Sequence, residues 1–171
     1  MMRVRLKDVA AINANVLSDA TPSDFSFRYI DIGSVTQGKI SVPPDLTAFG
    51  SAPSRARELA QAGDTIVSTV RTYLRAVAAV PEAEEPLVFS TGFAVLHPTC
   101  EVEGRYLSYY CQSALFVDEI VARSVGVSYP AINPGEIGSF RLDLSTLEDQ
   151  RRIADFLDAE IARIDRLVVC R

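Results

Sequence analysis

The sequence predicts an α+β fold, in which a mixed, curved β-sheet with short helices occupies residues 1–144 and an amphipathic helix follows in residues 145–171. Three observations support this prediction. Short β-branched runs, which are typical of strands, alternate with turn residues between positions 27 and 98. Apolar residues then recur every three or four positions over residues 105–122, as they do on one face of a helix. The C-terminal segment repeats this spacing and contains neither glycine nor proline.

The N-terminal elements are expected to be short. Residues 3–17 predict a short helix or a loop. The run FRYIDIGSV (27–35) predicts a strand, residues 36–39 predict a turn, and residues 40–42 predict a second strand. Residues 43–54 are rich in proline and predict a long loop.

The middle of the chain is rich in strand signals. The β-branched run TIVSTV (65–70) predicts one strand and AVAAV (76–80) predicts another. PEAEEP (81–86) reads as an acidic turn. LVFSTGFAVLHP (87–98) predicts either one long strand or two short strands broken at Gly92.

Helical spacing returns after these strands. Residues 105–122 predict a helix, residues 126–134 a loop, and the alternating apolar residues of 140–144 a last strand. The final helix is expected to begin near Leu147.

The final helix carries an apolar stripe on one face, opposite a charged face. Ser145 or Thr146 is the expected N-cap. We interpret the stripe as a coiled-coil-like seam for a partner helix, although packing against its own domain would produce the same pattern. The stripe consists of Ile153, Phe156, Leu157, Ile161, Ile164, Leu167 and Val168.

The charge balance limits the kinds of partner. Lys and Arg total 17 and Asp and Glu total 22, which gives a formal net charge of −5. This excludes a generally basic nucleic-acid-binding surface but permits a local basic face. No apolar run approaches the ~20 residues that span a bilayer, and polar residues interrupt any signal-peptide core, so we expect a cytoplasmic protein without membrane contact.

Most catalytic and metal sites lack their residues in this sequence. There is one histidine, His97, which precedes Pro98 and is expected to end a strand. Three cysteines without C-x-x-C spacing offer no recognisable zinc site, so no metal ligands are assigned. A phosphate-binding loop and a G-x-G-x-x-G segment after a strand are also absent. We therefore expect a binding module without cofactors rather than an enzyme.

Local composition suggests where nucleic acid could bind. Residues 51–80 carry four arginines against two carboxylates, and residues 126–133 combine hydroxyls and an amide in a flexible loop, side chains of the kind that read base edges. A solvated surface and an ordinary loop are the alternatives. The candidates are Arg55, Arg57, Arg71, Tyr73 and Arg75 in the first segment, and Ser128, Tyr129 and Asn133 in the second.

Three passages in this order resemble a known family. ARELAQAGDTIVSTVRTYLRAVAAV (56–80) is similar to a recurrent hairpin of type I restriction-modification specificity (S) subunits. GVSYPAINPGEIGSFRLDL (126–144) is similar to the run that closes their recognition domain, and LEDQRRIADFLDAEIARID (147–165) to the start of their spacer helix. The paired prolines usual in the last passage are here Ser145 and Thr146. The resemblance is loose over residues 1–50.

The resemblance implies a division into a DNA target recognition domain (1–144) and the start of a conserved spacer or dimerisation helix (145–171). Specificity subunits catalyse nothing themselves. They read the two halves of a split double-stranded DNA site and bind methyltransferase subunits through their helices. Restriction subunits then join the complex through the methyltransferase subunits. A chain with one such domain would correspond to a half-subunit, a truncated product or a fragment, and two copies could form a homodimer that reads a palindromic split site.

Under the DNA-binding hypothesis, the basic 55–75 segment and the polar 126–133 loop have separate roles. We expect Arg55, Arg57 and Arg75 to contact phosphates, and Arg71, Tyr73, Ser128 and Tyr129 to contact base edges, while Asn133 either helps them or braces the loop. The alternative function is an assembly or interaction factor that acts through the C-terminal helix and never touches DNA. A shared face for the arginines and the 126–133 loop would favour the DNA-binding function.

Overall fold

Two four-stranded sheets form the body of the computed structural model, which describes residues 2–169. Most strands come before the longer helices along the chain, a separation that is typical of an α+β fold. The strands are β1 (Met2–Arg5), β2 (Ala10–Ile12), β3 (Ser26–Ile30), β4 (Val35–Thr36), β5 (Lys39–Ile40), β6 (Thr47–Ala48), β7 (Ala56–Ala60), β8 (Thr65–Ser68), β9 (Val77–Ala79), β10 (Leu87–Ser90), β11 (Phe93–Pro98) and β12 (Arg141–Leu144). The α-helices are α1 (Leu6–Val9), α2 (Gly104–Gln112), α3 (Ala114–Arg123), α4 (Pro134–Ile137) and α5 (Leu147–Val169).

The first sheet contains both parallel and antiparallel strand pairs. One sheet has the order β6-β3-β10-β7 and the other the order β2-β11-β8-β9, and β1 pairs with β12 and β4 with β5 in separate two-stranded ribbons. Strands β3 and β10 run parallel, whereas the other pairs within the described chain run antiparallel. The predicted α+β class is therefore confirmed.

The second sheet is buried on both faces, which explains its continuous apolar runs. Successive residues of a strand point to opposite faces. In β8, Ile66 joins the core between the two sheets, while Val67 joins the core beneath α1, α2 and α3. Phe93 and Ala94 of β11 divide in the same way. This sheet thus carries the helices on one side and the first sheet on the other.

The structure corrects several expectations from the sequence. Residues 3–17, predicted as a short helix or a loop, contain strands β1 and β2 on either side of the one-turn helix α1. Strand β7 (Ala56–Ala60) had no predicted counterpart, and the 43–54 loop contains β6. The 105–122 helix is broken at Ser113, whose hydroxyl accepts a hydrogen bond from the Phe116 amide (3.3 Å) and so starts a second helix.

Other expectations agree with the structure. LVFSTGFAVLHP forms two strands that separate at the turn before Phe93, and the final helix covers Leu147–Val169. Of the two possible N-caps, Thr146 takes this position, because its hydroxyl accepts a hydrogen bond from the Asp149 amide (3.2 Å). Cys170 and Arg171 lie outside the described residues.

A buried amide fixes the start of α5 on the domain. Gln150 is completely buried, and its Oε1 accepts a hydrogen bond from the Glu103 amide (2.8 Å). Its Nε2 donates to the carbonyls of Ser145 (2.9 Å) and Glu101 (3.4 Å). The neighbouring Ala154 is also completely buried. One face of the first two turns of α5 therefore packs against the domain.

Charged groups extend this attachment along α2. Arg105 contacts Glu103 (3.0 Å), the N-cap of α2, and Asp155 (2.9 Å) and Asp158 (2.6 Å) on α5. The Tyr109 hydroxyl donates to Asp158 as well, and burial raises the pKa of Tyr109 to about 12, so the hydroxyl keeps its proton at neutral pH. These contacts hold α5 at one angle to the domain.

Replacing Gln150 with Leu is expected to lower the free energy of unfolding by about 1–3 kcal/mol, the cost of leaving a buried polar group without a partner. The reason is that the Glu103 amide would lose its acceptor, and the Ser145 and Glu101 carbonyls their donor, where the fully buried Gln150 side chain now lies. The exposed neighbour Arg151, changed to Gln, is the control and is expected to change stability by less than ~0.5 kcal/mol. Urea denaturation measures both; equal stability of the two variants would contradict the role of Gln150.

Candidate nucleic-acid interface

Two distant segments of the chain form one unit at the candidate interface. Residues 69–75 follow β8, and residues 124–132 lie between α3 and α4. They are joined by backbone and side-chain hydrogen bonds, so the two segments that the sequence suggested separately are placed side by side. The bonds run from the Arg71 amide to the Pro130 carbonyl (2.8 Å), from the Ile132 amide to the Thr69 carbonyl (2.9 Å), and between the hydroxyls of Thr72 and Ser124 (2.9 Å).

The second segment contains a small closed hairpin. Val125 and Ala131 exchange two backbone hydrogen bonds of 2.9 and 3.0 Å, and Ala131 also forms a bridge with Val70. Gly126 has φ +119°, and a Cβ at this position would lie 2.8 Å from the Tyr129 carbonyl oxygen. Glycine is therefore required where the hairpin closes on itself.

Two arginines occupy the left-handed backbone region in the first segment. Arg71 (φ 48°) and Arg75 (φ 54°) stand on either side of the 3₁₀ turn Thr72–Leu74. A non-glycine residue in this region costs about 1–3 kcal/mol and persists where its surroundings impose it. The turn leaves Tyr73 and Leu74 exposed.

Arginine and tyrosine side chains converge in an open cleft of about 390 Å³ between the two segments and the first sheet. The Arg71 guanidinium carbon lies 4.8 Å from the centre of the Tyr129 ring, a cation–π contact. Arg55 also lines the cleft and donates from Nε to the Tyr29 hydroxyl (3.0 Å). This hydrogen bond raises the pKa of Arg55, which stays charged. Three of the predicted residues, Arg55, Arg71 and Tyr129, thus share one site.

The other predicted residues have different surroundings. Arg57 binds Asp19 (2.9 Å) and lies over the Phe49 ring (5.1 Å). Arg75 lies 3.5 Å from Asp118 of α3. Phosphate contacts by Arg57 and Arg75 remain predictions, and DNA would compete with a carboxylate at both.

The remaining candidates lie in the 126–133 loop. Ser128 is exposed next to Tyr129. Asn133 accepts a hydrogen bond from the Gly135 amide (2.8 Å) and so caps α4. Of its two expected roles, this contact corresponds to bracing the loop.

Sequence analysis missed two polar residues of this site. Asp31 lines the cleft, and Tyr29 holds Arg55. Tyr29 lies near the end of β3 and Asp31 directly follows that strand. Because β3 pairs in parallel with β10, Ile30 lies opposite Phe89 and the residues that follow both reach the cleft. No motif in the neighbouring sequence predicts the pairing of β3 with β10. The only available signal was a tyrosine and a carboxylate close together in a predicted strand.

The predicted partner face on α5 is largely uncovered. Phe156, Ile164 and Leu167 are 64%, 55% and 63% exposed. Ile153, Ile161 and Val168 are exposed as well, and Leu157 is half-buried. Helix α5 contacts the domain with a different face, which contains Gln150 and Ala154. Packing of the stripe on its own domain is therefore not observed.

Two further observations concern the described residues, 2–169. No three histidine, cysteine or acidic side chains there are grouped so that they could hold a metal ion. No helix in that range has the length and apolar character to cross a membrane. His97 is the last residue but one of β11, near the strand end where it was expected, and its Nδ1 lies 2.6 Å from the buried Asp64 carboxylate.

The described chain is thus a mixed β-sheet domain with two joined loops and an attached helix whose apolar stripe is exposed. The chain belongs to the family described as the type I restriction modification DNA specificity domain, whose model matches residues 1–167. No curated protein matches.

Solved structures of this family have the same fold. The HsdS subunit from Thermoanaerobacter tengcongensis is 31% identical with a TM-score of 0.83, over 97% of this chain and 43% of that one. A chain from a study of complex assembly and conformational transition of the type I R-M system is 31% identical with a TM-score of 0.86, over 99% and 44%. The M. genitalium S subunit shares the fold alone, at 13% identity, a TM-score of 0.62, and 98% and 41% coverage. This chain thus spans less than half the length of these structures.

Replacing Gly126 with Ala is expected to destabilise the protein by more than the ~1–2 kcal/mol that left-handed backbone costs an L-residue. The additional cost arises because the new methyl group would meet the Tyr129 carbonyl at 2.8 Å. Gly63→Ala is the matched control, since Gly63 also has positive φ (+88°) but open space around it. Thermal and urea unfolding measure the difference, and equal losses in the two variants would show that the hairpin does not close as described.

Proposed function

We propose that this chain is a non-catalytic DNA recognition module of a type I restriction-modification complex and that it reads one half of a split site. The observation that carries the proposal is the convergence of Arg55, Arg71 and Tyr129 in one cleft, at the junction of two loops. Membership of the specificity-domain family supports it.

The contacts support different roles for the arginines. Arg71 is held by its backbone and by the Tyr129 ring, so its guanidinium is positioned in advance for bidentate contact with guanine. Tyr73, Ser128 and Tyr129 are its neighbours in base-edge contact. Arg55, Arg57 and Arg75 contact phosphates and set the position of the domain on the duplex.

The net charge implies that a partner is needed for affinity. A chain of net charge −5 repels the DNA backbone as a whole, so its non-specific attraction is weak. The exposed stripe on α5 docks methyltransferase subunits, which modify adenine, and restriction subunits join through these. A second copy of this chain is another possible partner for the same stripe, and the resulting homodimer would recognise a palindromic split site.

Substituting Arg71 by Ala is expected to cost about 1–3 kcal/mol at one base pair and to relax the preference there. Substituting Arg75 by Ala is expected to weaken binding to all DNA sequences by the same factor. It is also expected to reduce the slope of log affinity against log salt concentration by roughly one. The measurement is binding or methylation by the complex with a methyltransferase subunit, over a panel of single-base variants at several salt concentrations.

The outcomes separate the two candidate functions. An unchanged preference profile for Arg71→Ala would show that Arg71 reads no base. Unchanged affinity of both variants at every salt concentration would show that this face does not meet DNA, and the assembly-factor function would replace the proposal.

Introducing charge into the α5 stripe with Leu157→Asp and Ile164→Asp is expected to abolish binding of the methyltransferase subunit or of a second copy, while the domain stays folded. The reason is that burial of each Leu or Ile in the interface contributes roughly 1.5–3 kcal/mol to the binding free energy. Light scattering after gel filtration measures the mass. Leu115→Asp is the control, since Leu115 is an exposed apolar residue on α3. An unchanged mass with the partner still bound would exclude the stripe as the interface.

A further inference from the structure

An exposed apolar patch lies beside the arginines of the cleft. Val127 is fully exposed at the tip of the 125–131 hairpin, and Val125 is 80% exposed. Tyr129, on the same hairpin, and Tyr73 and Leu74, on the neighbouring turn, are each more than half exposed. We call these five residues the tip patch.

The grouping distinguishes the tip patch from ordinary surface residues. Single exposed apolar side chains are common and need no explanation. Among the described residues outside α5, ten large apolar side chains are exposed, and five of them belong to the tip patch. Because the two segments are joined by hydrogen bonds, the patch is also presented on a fixed backbone.

The shape of the hairpin fits a groove of DNA. It is a narrow loop whose two ends are held together by the single Val125–Ala131 bridge, and Ala131 is also bridged to Val70. The major groove of B-DNA admits a two-stranded ribbon, and the minor groove is about half as wide. A loop closed by one bridge is no wider than such a ribbon at its base, and entry of its tip into the major groove would bring the exposed Val127 to the base edges.

The charges beside the patch favour DNA over an apolar protein surface. Leu74 and Tyr129 line the same cleft as Arg55 and Arg71. Neither arginine forms an ion pair with a carboxylate among the described residues. Asp31 is the carboxylate that lines this cleft, so the two arginines leave it with a net positive charge. An apolar tip next to net positive charge matches base edges flanked by phosphates. The apolar group that base edges present in the major groove is the 5-methyl group of thymine.

We infer that Val127, at the tip of the 125–131 hairpin, reads the 5-methyl group of a thymine in the major groove. The inference rests on the proposed function and names one feature of the DNA that the site recognises. Arg71 and Val127 then have complementary roles, the first in hydrogen bonding to guanine and the second in contact with thymine.

The test uses the full chain assembled with a methyltransferase subunit. A duplex enriched from a randomised pool is synthesised with each thymine in turn replaced by deoxyuridine, which removes the methyl group and leaves base pairing intact. Fluorescence anisotropy measures the affinity for each duplex. One replacement is expected to weaken binding about fourfold, the effect of one buried methyl group.

Variants of the protein assign the effect to a side chain. With Val127→Ala, the same replacement is expected to leave affinity almost unchanged, because the contact has already been lost. Val127→Thr keeps the branched shape and one γ-methyl group, and is expected to retain part of the effect. Leu115→Ala removes an exposed apolar side chain outside the patch and is expected to behave like the unchanged protein.

The inference and the proposed function fail in different ways. If a duplex is enriched but no thymine replacement weakens binding, or the site contains no thymine, the inference is wrong and the proposed function stands. The same holds if Val127→Ala keeps the full effect of the replacement. If Val127→Ala instead releases the methyltransferase subunit, the tip patch is a protein interface. If no duplex is enriched, both the proposed function and the inference fail.

Discussion

The backbone hydrogen bonds between residues 69–71 and 130–132 are the constraint on which the candidate interface depends. They join two loops that lie about sixty residues apart in sequence, and they hold Arg71 in a left-handed conformation that it would otherwise leave. The sheet beneath supplies the rigidity, because β8 is buried on both faces and leads directly into the first loop. Preorganisation of this kind lowers the entropic cost of binding, since the loops are ordered before the ligand arrives.

The arginines differ in how their charge is compensated. Arg57 and Arg75 face Asp19 and Asp118, whereas Arg55 and Arg71 contact the hydroxyl or ring of a tyrosine. A neutral partner orients a guanidinium without cancelling its charge. In an acidic chain, this places usable positive charge in the cleft and limits it elsewhere, which favours a specific complex over non-specific attachment.

Elements that are determined by neighbouring residues in the sequence were predicted well, whereas strands that form only by pairing with distant segments were missed. Helix α5 and the two strands on either side of Gly92 follow from spacing and turn chemistry within a few residues. Strand β1 forms only by pairing with β12 at the other end of the domain, and β7 (ARELA) has weak strand propensity and is held by β10. The site followed the same rule. Its arginines were visible as a local cluster, but Tyr29 and Asp31 reach it through the β3–β10 pairing.

The junction between the domain and α5 connects the two proposed activities. Gln150 and Arg105 fix the helix on α2 from two directions, by buried hydrogen bonds and by ion pairs at the surface. The ion pairs alone would contribute little, because exposed pairs are screened by water and salt. The buried amide supplies the directionality, since its three hydrogen bonds are satisfied at one orientation of the helix. A module that reads half of a split site needs a fixed distance to the other half. A helix attached rigidly at its first turns and uncovered along its apolar stripe meets that requirement, because whatever binds the stripe is held at a defined position relative to the cleft.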